Sequence, residues 1–389
     1  KIPQMKPSPE ILQILDKLIG FDTTSHLSNL SMIDYVQSHL ENLGLQPQLI
    51  YDETQRKANL FCTIGPKETG GIALSGHTDV VPVQGQNWET DPFTLTKIDD
   101  KLVGRGTSDM KSFIAVCLAL APEICRRDLR LPIHLLFSYD EEIGCLGARR
   151  LLENIEQMPV KPIACIVGEP TNMQVVTAHK GKFSMRCEVK GLEGHSGLTH
   201  LGVNAVEYAA AVVTFLRSLA TEFRENGPFD EFLEPNFTTV HTGVMLGGTQ
   251  LNIIPKHCEF DFEFRYLPGH DPNEIFAKVK EFTNSLTVEM QAICPNTGFD
   301  WKPLSGVPAL DTDPDAEIVT LAKQLTRANS TGKVSYGTEA GLFSEAGMPS
   351  IVCGPGNIEQ AHKPNEWISL QQVAQCEQFI ERLVDYLSH

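Results

Sequence analysis

Apolar positions along this chain fall into two rhythms. Ile11, Leu12, Leu15, Leu18 and Ile19 repeat at helical spacing over residues 8–20, with Ser8 placed to cap and Pro9 at the first helical position. A second helix is expected over 31–43, stopped by Gly44. The rhythm then changes to short apolar runs, PQLIY, NLFCTI and GIALSG, which read as strands; the last leads into His77. KSFIAVCLALAPEICRR, from Lys111, reads as an apolar helix. IHLLFSY and IACIV read as strands leading into Glu141–Glu142 and Glu169, and 349–353 as a strand ahead of the His362 loop. Strands alternating with helices imply an α/β sheet with covered faces. Ligands in such sheets bind beyond the carboxyl ends of the strands, which is where these polar motifs fall.

Residues 183–295 read differently. FSMRCEVKG, TTVHTGVML and HCEFDFEFRYL alternate as half-buried strands do, and 203–223 and 273–285 carry helical spacing. With TVEMQAI taken as a last strand, the order is β-α-β-β-α-β, that of a ferredoxin-like sandwich with one open sheet face. A helix over 313–327 resumes the α/β pattern. The simplest organisation is one domain, 1–182 with 296–389, interrupted by an inserted domain at 183–295.

His77, Asp109, Glu142, Glu169 and His362 sit in compact motifs: SGHTDVVP, GRGTSDMK, YDEEIG, VGEPT and AHKPNE. Two His and three carboxylates can hold two divalent cations if one carboxylate bridges. Each residue has a plainer reading. His77 with Asp79 two residues on is either a ligand with a carboxylate fixing its tautomer or a surface His beside a capping Asp. Asp109, just before an apolar helix, fits an N-cap as well as a bridge. Glu141 and Glu142 point in different directions, so one can ligate while the other acts as a base; a solvated turn would look the same. Five such residues at strand ends are harder to explain as unconnected turns.

The balance of 32 basic and 49 acidic residues, net −17, argues against nucleic acid or an anionic membrane surface as a partner, because both need basic patches. None of the ten Cys forms a Cys-x-x-Cys pair, and several lie in apolar runs, so buried thiols and a cytoplasmic location are expected. No apolar stretch reaches membrane-spanning length, and the start at Lys1 is consistent with a trimmed N-terminus.

The strings SGHTDVVP, GRGTSDMK, DEE, GEPT, GHSG, GVNA and AHKPNE, in this order, resemble the co-catalytic zinc aminoacylase and carboxypeptidase family over nearly the whole chain. The resemblance implies a zinc-peptidase-like catalytic domain with a mixed sheet, and an insert that serves as a dimerisation lid. It implies one metal held by His77, Asp109 and Glu169, and a second held by Asp109, Glu142 and His362. Zn²⁺ is the expected ion, with Co²⁺ able to substitute. It further implies Glu141 as general base, Asp79 behind His77, and hydrolysis of a small-molecule N-acyl amino acid by a homodimer. His195, in GLEGHSG, would reach the partner's site and stabilise the oxyanion. Gly197-Leu198-Thr199-His200 departs from the family pattern, which puts the local loop shape in question. Arg265 would bind the substrate α-carboxylate. Asn252 is a candidate for substrate or oxyanion contact. Gly337, Thr338 and Glu339 are expected on a loop reaching the pocket, with Glu339 opposite a substrate ammonium. The rivals are a different acyl specificity, a metallopeptidase acting on peptides, and a non-catalytic binding module on the same fold.

Overall fold

A computed structural model describes residues 5–68, 70–155 and 160–389. The chain divides into two compact units: 1–178 with 312–333 and 338–389, and 179–311 with 334–337.

The first unit is built on a mixed sheet. Its centre is four parallel strands in the spatial order Ile133–Ser138, Ile72–His77, Ala164–Val167 and Ser350–Val352. Ala58–Ile64 pairs antiparallel with Ile133–Ser138, and Gln48–Tyr51 continues that edge. The central strands are buried along their whole length, as expected of parallel strands covered on both faces. The Lys111–Arg126 helix packs with Pro9–Ile19 and Leu370–Leu387 in one core, which includes Ile11, Leu15, Phe113, Val116, Phe379 and Leu383. Register fixes the site. His77 pairs with Ser138, and Ser75 with Val167, so the chain leaves neighbouring parallel strands at one level and on one edge.

The second unit is a four-stranded antiparallel sheet in the order Thr239–Gly247, His257–Tyr266, Gly181–Lys190, Gly298–Val307. Its helices are Ala205–Asn226 and Pro272–Ile293. Phe260, Phe262 and Phe264 face a core with Val212, Leu216 and Val279. Arg186 pairs with Asp261 on the alternate positions, as the period of two requires.

Two expectations fail here. TVEMQAI is not a strand but the end of the Pro272–Ile293 helix. Ile275, Val279, Thr283, Leu286 and Met290 recur every three or four residues against the core, while Val288 is 72% exposed. Val288, Met290 and Ala292 happen to alternate, which mimicked a strand. The fourth strand is therefore Gly298–Val307, and the second unit runs to Asp311 rather than to 295. Among the described residues no helix is long and apolar enough to cross a membrane. All ten cysteines are free thiols, eight of them buried.

Candidate active site at the sheet edge

His77 closes its strand, and the chain then bends. Its Nδ1 lies 2.8 Å from the carbonyl of Asp79 and 3.5 Å from Asp79 Oδ1. The backbone carbonyl is thus the nearer partner, and the Asp79 carboxylate has a wider task than the sequence indicated. It accepts from Ser25 Oγ at 2.7 Å, from the Glu141 amide at 3.0 Å and from the Glu142 amide at 3.3 Å. One buried carboxylate therefore ties the His77 turn to the turn that carries both glutamates. Asp140 sits there with φ +55°, a left-handed conformation that Asp tolerates, and its carboxylate pairs with Lys57.

Asp109 is not the helix cap that its position allowed. Met110 occupies the N-cap of the Lys111–Arg126 helix, with no side-chain capping bond. The Asp109 carboxylate points into the site instead. Its Oδ1 lies 2.9 Å from His77 Nε2, and its Oδ2 lies 3.2 Å from His362 Nε2. Each oxygen faces a different imidazole. His77 Nε2 is also 3.4 Å from Glu169 Oε1, and His362 Nε2 is 3.0 Å from Glu142 Oε2. His362 takes φ +63°, one of the few non-glycine left-handed residues, and its side chain is half exposed.

This donor set suits cations. His77, Glu141 and Glu169 offer ligand atoms all within 4.8 Å of one another, as do His77, Asp109 and Glu142. Burial, reinforced by Asp109, pushes Glu142 up to about 7 and Glu169 up to about 8. Burial also raises Glu141 well above the usual carboxylate range; His77 opposes the rise while Glu169, Glu142 and Glu339 add to it. Desolvation acts to raise Asp109 as well, but His362 and His77 hold it down. Bonds to Asp109 and Glu142 lift His362 to about 11. Acids crowded out of water repel one another. Divalent cations would neutralise that cluster, and nitrogen and carboxylate donors are what Zn²⁺ or Co²⁺ takes.

The remaining expected residues fall in two places. Thr338 and Glu339 belong to the first unit but are not on an open loop. Both are almost fully buried, at 0% and 1% exposed, at the start of the Ala340–Glu345 helix. Thr338 Oγ1 accepts from the Ala340 amide, and the Glu339 carboxyl accepts from the hydroxyls of Ser138 and Ser75. His195, Asn252, Arg265 and Gly337 lie in the second unit. His195 and Asn252 are exposed neighbours: His195 pairs with Ile253, and the Ser196 amide donates to the Asn252 carbonyl at 3.2 Å. His195 Nδ1 accepts from the Gly197 amide at 3.0 Å. Arg265 Nε donates to Glu263 at 2.9 Å, with the side chain partly exposed. The sequence reading passed over Ser25 and the pair Arg105–Glu366. The last two sat inside the quoted motifs GRGTSDMK and AHKPNE, where a charged residue between glycines, or two residues past a proline, was the available signal.

The chain is similar to known proteins over nearly its whole length. The model of Peptidase family M20/M25/M40 matches residues 73–386. The acetylornithine deacetylase of Myxococcus xanthus is 34% identical over 382 residues, 97% of each chain. That of Pasteurella multocida is 32% identical over 393 residues, 98% of each. Among solved structures, the aminopeptidase PepT of Bacillus cereus superposes with a TM-score of 0.75 at 20% identity, covering 98% of this chain and 99% of its own. The chain belongs to peptidase family M20/M25/M40 and is an enzyme of that hydrolase family.

Proposed function

We propose that this enzyme is a metal-dependent deacetylase that converts N2-acetyl-L-ornithine to L-ornithine and acetate. The observation that carries the reading is Asp109, whose two oxygens face two different imidazoles as a bridging carboxylate's would. The substrate is inferred from the relatives named acetylornithine deacetylase.

In this reading His77, Asp109 and Glu169 hold one cation, and Asp109, Glu142 and His362 the other, most simply Zn²⁺ with Co²⁺ as a substitute. Bound there, the pair would polarise the acyl oxygen and acidify water. Glu141 removes a proton from the attacking water and passes it to the amine nitrogen as the C–N bond breaks. Asp79 holds the turn that aims Glu141. Arg265 takes the substrate α-carboxylate, for which a planar fork is suited. His195 and Asn252 act at the oxyanion or substrate. Glu339 already shares its carboxyl with two hydroxyls in a closed environment, so we assign it to the floor of the site rather than to the substrate ammonium.

We further propose a homodimer in which His195 serves the partner's site. Thr239–Gly247 is an edge strand whose Val244, Met245 and Leu246 are exposed, and Leu251 beyond it is 99% exposed. Such an edge favours pairing with a second copy.

Amine release from N-acetyl-L-ornithine, compared with N-succinyl-diaminopimelate and a dipeptide panel, tests the assignment. Turnover of acetylornithine that is abolished by chelator and restored by Zn²⁺ or Co²⁺ supports it. Faster turnover of either rival, or activity that survives chelation, rules it out.

A further inference from the structure

Arg105 and Glu366 form an ion pair at 2.7 Å with both side chains 1% exposed. Neither takes part in the chemistry above. An unrelieved buried pair rarely adds stability, so its surroundings are informative. Glu366 is almost saturated. Its Oε2 also accepts from the Gly106 amide at 3.2 Å, and its Oε1 accepts from the amides of Ser108 at 2.9 Å and Asp109 at 3.0 Å. The backbone of the 106–109 loop is thus wrapped round one carboxylate, and the φ of +87° at Gly106 permits the wrap.

Arg105 works on the other side. Its Nη1 donates to the carbonyl of Lys363 at 3.2 Å and its Nε to that of Val81 at 3.2 Å. Its Nη2 donates to Gln86 Oε1, and Gln86 Nε2 in turn donates to the carbonyl of His362 at 2.8 Å. The pair therefore joins the loop carrying Asp109 to the loop carrying His362, two segments far apart in sequence. His77 and Glu169, by contrast, are placed by sheet strands.

We propose that Glu366, through Arg105, is a positioning residue that sets the separation of Asp109 and His362 and so governs the second cation position far more than the first, which shares Asp109 but keeps the strand-placed His77 and Glu169. This rests on the two-cation reading given above. Glu366→Gln keeps the shape but removes the charge and one acceptor. Stepwise Zn²⁺ binding by calorimetry, with the visible spectrum of the Co²⁺-loaded protein, reads the two positions apart from activity.

The variant should bind its second cation roughly 10–100-fold more weakly, the usual effect of losing a partner behind a ligand, and its first within about threefold. Arg105→Lys keeps the charge but loses the fork; it should show the same selective loss and supplies the test if Glu366→Gln does not fold. Val384→Ala, in the Leu370–Leu387 helix, lowers stability alone and should move neither affinity. Two unchanged affinities, or two that fall equally, overturn the proposal. A wild-type chain that takes up fewer than two cations refutes the two-cation reading itself, which the variant results do not.

Discussion

Asp79→Asn is the sharpest probe of how the site is held. Asp79 is 2% exposed and its carboxylate accepts from one hydroxyl and two backbone amides, with His77 Nδ1 3.5 Å away. Asparagine fills the same volume but offers one acceptor oxygen. If its NH₂ replaces Oδ1, it confronts the Glu141 amide. If it replaces Oδ2, it confronts the Glu142 amide, since the Ser25 hydroxyl can rotate to accept. Either way one buried N–H loses its acceptor, at about 1–3 kcal/mol, and the surviving bonds lose their charge assistance, about 1 kcal/mol more. The stability loss should therefore be on the order of 3 kcal/mol. The turn bearing Glu141 loosens with it. Since Glu141 is assigned to the transition state, the activity loss should fall on kcat rather than KM, by roughly 10–100-fold. Steady-state kinetics on N-acetyl-L-ornithine at saturating Zn²⁺, with thermal melts of the same samples, read both effects. A variant with kcat within threefold of wild type and an unchanged melting temperature would refute the role given to Asp79.

Two further predictions concern other parts of the molecule. Burial pushes the His134 imidazole down to about 4, from an ordinary 6.5. The unfolded chain then binds the extra proton first, so this contribution is full above pH 6.5 and is lost as pH falls from 6.5 to about 4, to a limit of roughly 3 kcal/mol. Melting curves should fall over that window more steeply in wild type than in His134→Leu, and parallel curves would contradict the reading. For His195, mixing inactive His195→Ala with inactive Glu141→Gln should restore about a quarter of wild-type activity if the imidazole crosses a two-fold interface. No recovery on mixing would place His195 in its own subunit's site or outside the chemistry.

What could be read in the sequence was what local pattern encodes. Apolar strands ending in Gly-flanked acids and histidines located the edge of the sheet, and parallel register brought His77 level with Ser138 and the glutamates after it. Asp109 was ambiguous, because an acid before a helix is usually a cap; only the fold turned its carboxylate inward. Glu366 and Arg105 lay inside the quoted motifs, but nothing local showed what they bind, since their partners are loops joined only in the folded chain. Glu339 misled because Gly-Thr-Glu looks like an open loop, whereas here it begins a helix beneath strand ends. The end of the Pro272–Ile293 helix misled because Val288, Met290 and Ala292 alternate by chance, while the helical spacing there runs only through Thr283, Leu286 and Met290.

In the proposed mechanism a carboxylate beside a pair of cations drives amide hydrolysis. Turnover of N-acetyl-L-ornithine by Glu141→Gln, with bound metal counted on the same sample, tests it most directly. The variant should hold two cations per chain as in wild type and show a kcat lower by about 10²–10⁴, the range expected when a general base is removed. A fully loaded variant that keeps kcat within tenfold of wild type would contradict it.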